Sequence, residues 1–426
     1  MKNKKIGKVT VGRSMLPLLL CGCNRQETIA RFNGEATEVV DNITETTEDV
    51  DNISATEEEN HISSIESDNQ TSDKTTETRR TVATVSLVMV GDILFHTPVA
   101  ESGVQKDGSY NYDALFMNVK DEIEAADIAL VNQEVIIGGE ELGISGYPSF
   151  NAPYELGDAL KEAGFDVVLH ATNHALDQGK KGVKNCLSYW ERKYPEVAVL
   201  GIHQSQAAQD EIYVYEQDGI RIAILNYTYG TNGINMPSDM PYAVDLLEEE
   251  KVVADIKAAE EMADFTIVCP HWGTEYQLET SPEQERWTQI FLENGVDLVI
   301  GTHPHVIEPI EWMEREEDGM LVYYSLGNFV NWTSSSGEGI ANRMVGGMAC
   351  VTIGKDIDGD VFITEYGVKP LVCHLAEETN GVTTYFLSDY TEAMAKENAI
   401  VQQDSAFSKE YCVDLCNEVW QEQQIN

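Results

Sequence analysis

The sequence predicts an α/β fold in which strands and helices alternate, and two observations carry that prediction. Short runs rich in β-branched and apolar residues, the pattern of buried strands, are separated by stretches with helical periodicity. Polar and metal-ligating residues then gather just after those runs, where open α/β sheets place their sites. The first run, Val82–Val90, is almost continuously apolar. Similar runs follow at Ile128–Asn132, Val167–His170, Ile220–Tyr227, Phe265–Pro270, Val296–Ile300 and Met320–Ser325. Between them, helices are expected over Ala114–Ala125, Tyr154–Ala163, Gly179–Arg192, Leu246–Met262 and Pro282–Glu293. After about residue 343 the rhythm changes. Val345–Ile353 and Val361–Val368 flank Asp356-Ile357-Asp358-Gly359-Asp360, which reads as a hairpin turn, since no glutamate follows at calcium-loop spacing. Helical segments Glu392–Lys396 and Lys409–Gln423 end the chain, so 343–426 is expected to be a β-hairpin and helical extension packed on the main domain.

Charge narrows the function. The 426 residues hold 28 Lys+Arg and 73 Asp+Glu. From residue 81 onward there are 18 basic and 58 acidic residues, a net of −40. Such a domain repels phosphate backbones, which excludes nucleic-acid binding through a basic patch, and it draws divalent cations toward any carboxylate-lined cleft. Residues 1–23 hold five basic residues and no acidic one, then the short apolar run Met15–Leu20 and Cys21-Gly22-Cys23. That run is too short to span a bilayer and reads as an export signal. Leu20–Cys23 resembles a bacterial lipobox, which implies lipidation of Cys23 and an extracytoplasmic, membrane-anchored lipoprotein; an ordinary cleaved signal is the alternative. Residues 24–80 hold 15 Ser/Thr, 15 Asp/Glu and one aromatic, Phe32. They cannot bury enough apolar area to order themselves and form a tether spanning roughly 40 Å on average.

Several common chemistries are excluded by their missing signatures. There is no G-x-G-x-x-G after the first strand, no Walker loop and no G-x-S-x-G elbow. The six cysteines beyond residue 23 include no C-x-x-C pair, against zinc knuckles and a disulfide scaffold. Cys412 and Cys416 lie one helical turn apart, and both packing and bonding remain open for them.

The chemistry sits in five segments that follow strands. These are Gly91-Asp92-Ile93-Leu94-Phe95-His96, Asn132-Gln133-Glu134, His170 through Gly179 with Asn173, His174 and Asp177, His271-Trp272-Gly273-Thr274-Glu275-Tyr276, and Gly301-Thr302-His303-Pro304-His305. Six of the nine histidines fall in them. One carboxylate, a second, Asn-His, a lone His and His-x-His make a ligand inventory for one or two divalent cations. Carboxylates can bridge two ions, and neutral imidazoles suit Mn, Fe or Zn. Two cations about 3.5–4 Å apart can clamp both oxygens of a phosphoryl displacement.

These segments, with Tyr324-Ser325-Leu326-Gly327-Asn328-Phe329, resemble the CapA-type capsule biosynthesis proteins associated with poly-γ-glutamate capsules. That family belongs to the calcineurin-like metallophosphatase superfamily. The resemblance covers about residues 84–332 and implies a four-layer αββα sandwich over 81–342. It implies Asp92, Glu134, Asn173, His271, His303 and His305 as metal ligands, with His174 as proton donor to a leaving group. Asp177 either orients His174 or caps a helix. His96, Asn132, Trp272, Glu275 and Asn328 are candidates for touching substrate, with packing the alternative for Trp272 and its neighbour Tyr276. Three departures stand out. Leu94 occupies the superfamily's usual His position, with His96 two residues on as a substitute ligand or a stacking residue. Glu134 replaces a bridging Asp, and Gln133 stands where Leu is commoner. Two functions therefore remain: a metal-dependent phosphoesterase-like hydrolase, or a non-catalytic metal- or polymer-binding subunit working with capsule polymer synthase subunits.

Overall fold

The computed structural model describes residues 80–426 except 316–318, 334, 377–380, 422–423 and 426, together with the backbone of 5–10. Cys23 and nearly all of the expected signal and tether lie outside the described residues. Within the expected signal, Lys5–Thr10 is a strand paired antiparallel with Glu211–Gln217, which the export reading did not anticipate.

Two sheets organise the rest. The first runs, edge to edge, Gly381–Phe386, Val361–Ala376, Val345–Asp356, Thr81–Ile93, Ile128–Asn132, Val167–Leu169 and Ala198–Leu200. From Thr81–Ile93 to Ala198–Leu200 all neighbours are parallel. The second runs Lys5–Thr10, Glu211–Gln217, Ile220–Thr228, Phe265–His271, Leu298–Ile300, Gly319–Tyr323 and Ile310–Glu314. Its middle strands, Ile220–Thr228 through Gly319–Tyr323, are parallel as well.

The layering follows from the two-residue period of a strand. In the second sheet Ile222, Ile224, Ile267, Leu298, Ile300, Leu321 and Tyr323 join the large core shared with Leu87, Met89 and Leu130 of the first sheet. The residues between them, Ala223, Leu225, Val268, Val299, Met320 and Val322, join a second core with Val252, Ile256, Trp287 and Phe291. One face thus meets the other sheet and the opposite face meets helices Glu249–Met262 and Pro282–Glu293. Tyr323 Oη donates to the Gly367 carbonyl at 2.9 Å, pinning one sheet to the other. Parallel neighbours need crossovers, so helices Tyr154–Ala163 and Gly179–Lys193 cover the remaining face of the first sheet. The result is the expected four-layer αββα sandwich.

Two expectations need correction. The hairpin after residue 343 is no appendage: Val345–Asp356 pairs along the length of Thr81–Ile93, so the 342/343 boundary divides no packing unit. Ala114–Ala125 is not one helix but a short turn at Asp113–Leu115 and a helix at Lys120–Ala125. Between them Asn118 Nδ2 donates to Thr383 Oγ1 at 2.9 Å, so a contact with the sheet edge overrides local propensity. The Asp356 turn behaves as expected. Asp356 Oδ1 accepts from the backbone N–H groups of Asp358, Gly359 and Asp360. Cys412 and Cys416 are separate buried thiols. No described helix is long and apolar enough to cross a membrane.

One close approach sets the end of the first strand. The pairing register shifts between Val90 and Asp92, and the Asp92 N–H donates to the Gly327 carbonyl at 3.0 Å. A Cβ on Gly91 would stand 1.9 Å from that same oxygen. Gly91→Ala is therefore expected to cost about 1–3 kcal/mol, the range for overpacking a close-packed site, in urea unfolding. Wild-type stability in that variant would show that the segment gives way freely.

Candidate metal centre

The carboxyl ends of strands from both sheets converge on one point, and each delivers a polar side chain. Asp92 comes from the end of Thr81–Ile93, and Asn132 and Glu134 from and beyond Ile128–Asn132. Asn173 and His174 follow Val167–Leu169, His271 ends Phe265–His271, and His303 and His305 follow Leu298–Ile300. All are buried.

Asp92 is held from three sides. Asn132 Nδ2 donates to Oδ1 at 2.7 Å, the His303 backbone N–H donates to Oδ2 at 3.1 Å, and His305 Nδ1 lies 3.2 Å from Oδ2. Satisfying it has a backbone cost: His303 and His305 both sit at positive φ, 104° and 59°, on either side of Pro304. Glu134 is the opposite case. Its Oε1 lies 3.6 Å from His305 Nε2, 3.9 Å from His271 Nε2 and 4.0 Å from His174 Nε2. Neither of its buried oxygens has a hydrogen-bond partner. Asn173 Oδ1 lies 3.0 Å from His271 Nε2, while His271 Nδ1 faces Thr302 Oγ1 at 3.0 Å.

These groups form overlapping cation-sized clusters, with donor atoms within 4.8 Å of one another. One is Glu134, His271 and His303; another is Asp92, Glu134 and His305. Glu134 belongs to both, as a bridging carboxylate would. A third joins Glu275, which is exposed, to His303 and His305. The donor set and the orphaned Glu134 oxygens fit divalent cations, because a buried carboxylate without a partner is otherwise expensive. His303 Nδ1 is unpartnered too.

Electrostatics agree. Burial, with Asp92, Glu275 and Asp177 nearby, pushes the Glu134 carboxyl well above its usual range. Burial, then neighbouring imidazoles, holds His271 and His303 well below theirs, keeping them neutral as ligands must be. For His305 burial pulls downward, but Glu134 and Asp92 outweigh it and lift the ring to about 9.

The remaining candidates take distinct places. His174 Nδ1 lies 2.8 Å from Asp177 Oδ2, and the same oxygen accepts the Phe150 N–H at 2.7 Å. The helix Gly179–Lys193 starts at Gln178 with no side-chain cap, so Asp177 orients His174 and does not cap. Asn132 supports Asp92, and Asn328 supports His305 through a 2.9 Å bond from Nδ2 to its carbonyl. Trp272 is fully buried, stacks near Tyr324 and donates Nε1–H to the Tyr324 carbonyl at 2.9 Å. Its place is packing, and the structure gives it no face toward the cleft. His96 packs edge-on against Phe150 at 5.2 Å and belongs to none of the cation-sized clusters; Leu94 is buried. Sequence reading missed the rim. Tyr229 lies against His303 at 4.6 Å, Asn232 Nδ2 approaches the His174 ring at 3.4 Å, and Arg343 lies over Tyr276. No motif marks these loop residues.

Residues 86–333, more than half of the chain, match the model for the bacterial capsule synthesis protein PGA_cap family. The chain belongs to this family. As a PGA_cap member it is 29% identical over 259 residues to the PGA biosynthesis protein CapA of Bacillus subtilis, covering 58% of this chain and 64% of that one. It is 28% identical over 264 residues to the capsule biosynthesis protein CapA of Bacillus anthracis, covering 58% and 61%. The matched region thus spans less than two thirds of either Bacillus protein. Among solved structures, the NAD nucleotidase of Haemophilus influenzae aligns over 81% of this chain and 64% of its own at 12% identity, with a TM-score of 0.43.

The charge arrangement sets a pH dependence. His305 and Glu134 both hold protons more tightly in the folded, metal-free site than in an unfolded chain. The stability contributed by His305 is complete below about 6.5 and is lost as pH rises through about 9. In EDTA, the unfolding temperature is expected to fall across that window. Manganese should restore more of it at about pH 8.5 than at about pH 6, because bound cations displace those protons. The slope should flatten in Glu134→Gln; an unchanged slope would place the coupled protons elsewhere.

Proposed function

We propose that this chain is an extracytoplasmic, lipid-anchored protein serving synthesis, export or anchoring of a poly-γ-glutamate-type capsule polymer. Its two-sheet domain is a metal-dependent hydrolase of phosphoesterase type. The observation that carries the reading is Glu134, a buried carboxylate with two unpartnered oxygens common to two ligand clusters. The family and the names of the two Bacillus relatives support the capsule role.

Divalent cations (manganese, iron or zinc, one or two) would be held by Asp92, Glu134, Asn173, His271, His303 and His305. They would supply positive charge to polarise a phosphoryl oxygen. The chain's own side chains do the rest. Asp177 Oδ2, 2.8 Å from His174 Nδ1, fixes the ring, so that an imidazolium at His174 can give its Nε2 proton to a departing oxygen and return to the neutral ring. Phe150, edge-on to His174 at 4.7 Å, limits water at that ring. Asn132 and Asn328 hold Asp92 and His305 in place.

One observation favours the second reading, a non-catalytic metal- or polymer-binding subunit. Leu94 removes an imidazole from the superfamily's usual set, and among the described residues no other histidine joins a cluster in its stead.

Metal analysis of the full chain with a phosphodiesterase screen on bis(4-nitrophenyl) phosphate separates the two. The hydrolase reading expects bound cation and turnover. His303→Ala should lower metal content, whereas His174→Ala should keep the metal and reduce turnover about 10²–10⁴-fold. Metal without any turnover selects the binding subunit, and loss of metal in His174→Ala overturns the role given to that residue.

Anchoring is tested apart from chemistry. Cys23→Ser is expected to release the protein into the medium or leave it uncleaved. Unchanged membrane attachment would remove the lipid anchor from the proposal.

A further inference from the structure

Arg343 lies beyond the matched segment 86–333, in the turn Ile340–Met344, yet it is fastened to the metal-ligand loop. Its carbonyl accepts from Asn328 Nδ2 at 2.9 Å and from Asn331 Nδ2 at 3.2 Å. Asn328 also holds His305, with Oδ1 3.2 Å from the ring Nδ1. One asparagine therefore ties the backbone of Arg343 to a ligand-bearing turn. The side chain is placed as firmly. Its guanidinium carbon stands 3.4 Å from the centroid of the Tyr276 ring, which in turn lies 6.0 Å from His305. Nη1 donates to Thr333 Oγ1 at 3.3 Å.

What the guanidinium lacks is a counter-ion. The chain has 73 acidic residues, yet Arg343 forms no ion pair with any described carboxylate. A half-buried arginine laid on an aromatic ring keeps most of its five donors in a fixed fork, the geometry that grips carboxylate or phosphate. The domain carries −40, so an anionic substrate is repelled at long range and must be recognised locally.

We propose that Arg343, backed by Tyr276, recognises a second anionic group of the substrate, a carboxylate or a phosphate, beside the group held at the cations. The substrate class is thus a molecule or polymer with at least two anionic groups, one at each position. This deepens the metal-centre reading and rests on it. It also gives the segment after residue 333 a share of the site. Arg343 contacts substrate here without moving a proton, so it is a specificity residue.

The test is calorimetric titration of the full-length, manganese-loaded chain with pyrophosphate and with glutarate, each carrying two anionic ends. Wild type should bind at least one of them. Arg343→Gln should weaken that binding about tenfold or more with manganese content unchanged, and Arg343→Lys should recover part of the loss, since it restores charge but not the fork. A loss confined to pyrophosphate assigns phosphate, and one confined to glutarate assigns carboxylate. Equal affinities in wild type and Arg343→Gln, or no binding of either probe by wild type, overturn the proposal. If wild type retains no metal, the metal-centre reading itself fails. That outcome is distinct from retained metal with an indifferent Arg343.

Discussion

The burial of two carboxylates side by side, Asp92 and Glu134, is the constraint from which the architecture can be understood. Two negative charges do not remain ionised together in a dry interior without compensation. Asp92 receives it from a backbone N–H, an amide and an imidazole. Glu134 receives none from the protein's hydrogen bonds and instead faces three imidazoles at 3.6 to 4.0 Å. The surrounding elements make sense in that light. Strands from both sheets must end together to bring nitrogen donors within reach, and the residues flanking Pro304 must adopt positive φ to turn one imidazole and one backbone N–H toward Asp92.

Much of this was legible in the sequence because its causes are local. Buried parallel strands require apolar runs, and the helix Pro282–Glu293 starts with Pro282 at its first position behind a capping box formed by Ser281 and Gln284. The clustering of the candidate donors was legible because few residue types bind cations, and they recur after strands. Other features have non-local causes. Whether Trp272 lines a cleft or packs depends on Phe291 and Tyr324, distant in sequence. The break at Asn118 is made by residues more than 260 positions away. Tyr229, Asn232 and Arg343 reach the site from loops whose composition resembles any other loop. Edge strands such as Gly381–Phe386 escaped notice because their burial alternates without a long apolar run.

The part of the chain beyond the family match is structurally continuous with the part inside it. Val345–Asp356 lies directly against Thr81–Ile93 and supports the strand that carries Asp92. Gly346 lies so close to Asn328 that a Cβ would stand 2.1 Å from the Asn328 carbonyl oxygen. The floor of the site is thus built by backbone from before and after residue 333, packed too tightly for side chains. Removing the later segment would uncover a flank of the central strand and would do more than delete a flanking module.

The reach of the Asp92 contacts has a consequence for the order of events in the protein's life. Its partners in the Pro304 turn lie 211 and 213 residues further along, so these contacts close only when distant parts of the chain have come together. An incompletely folded chain therefore contains the separate side chains but no cation-sized cluster. Any cation capture there would follow folding, and the compartment in which the chain folds would determine which metal ions it meets.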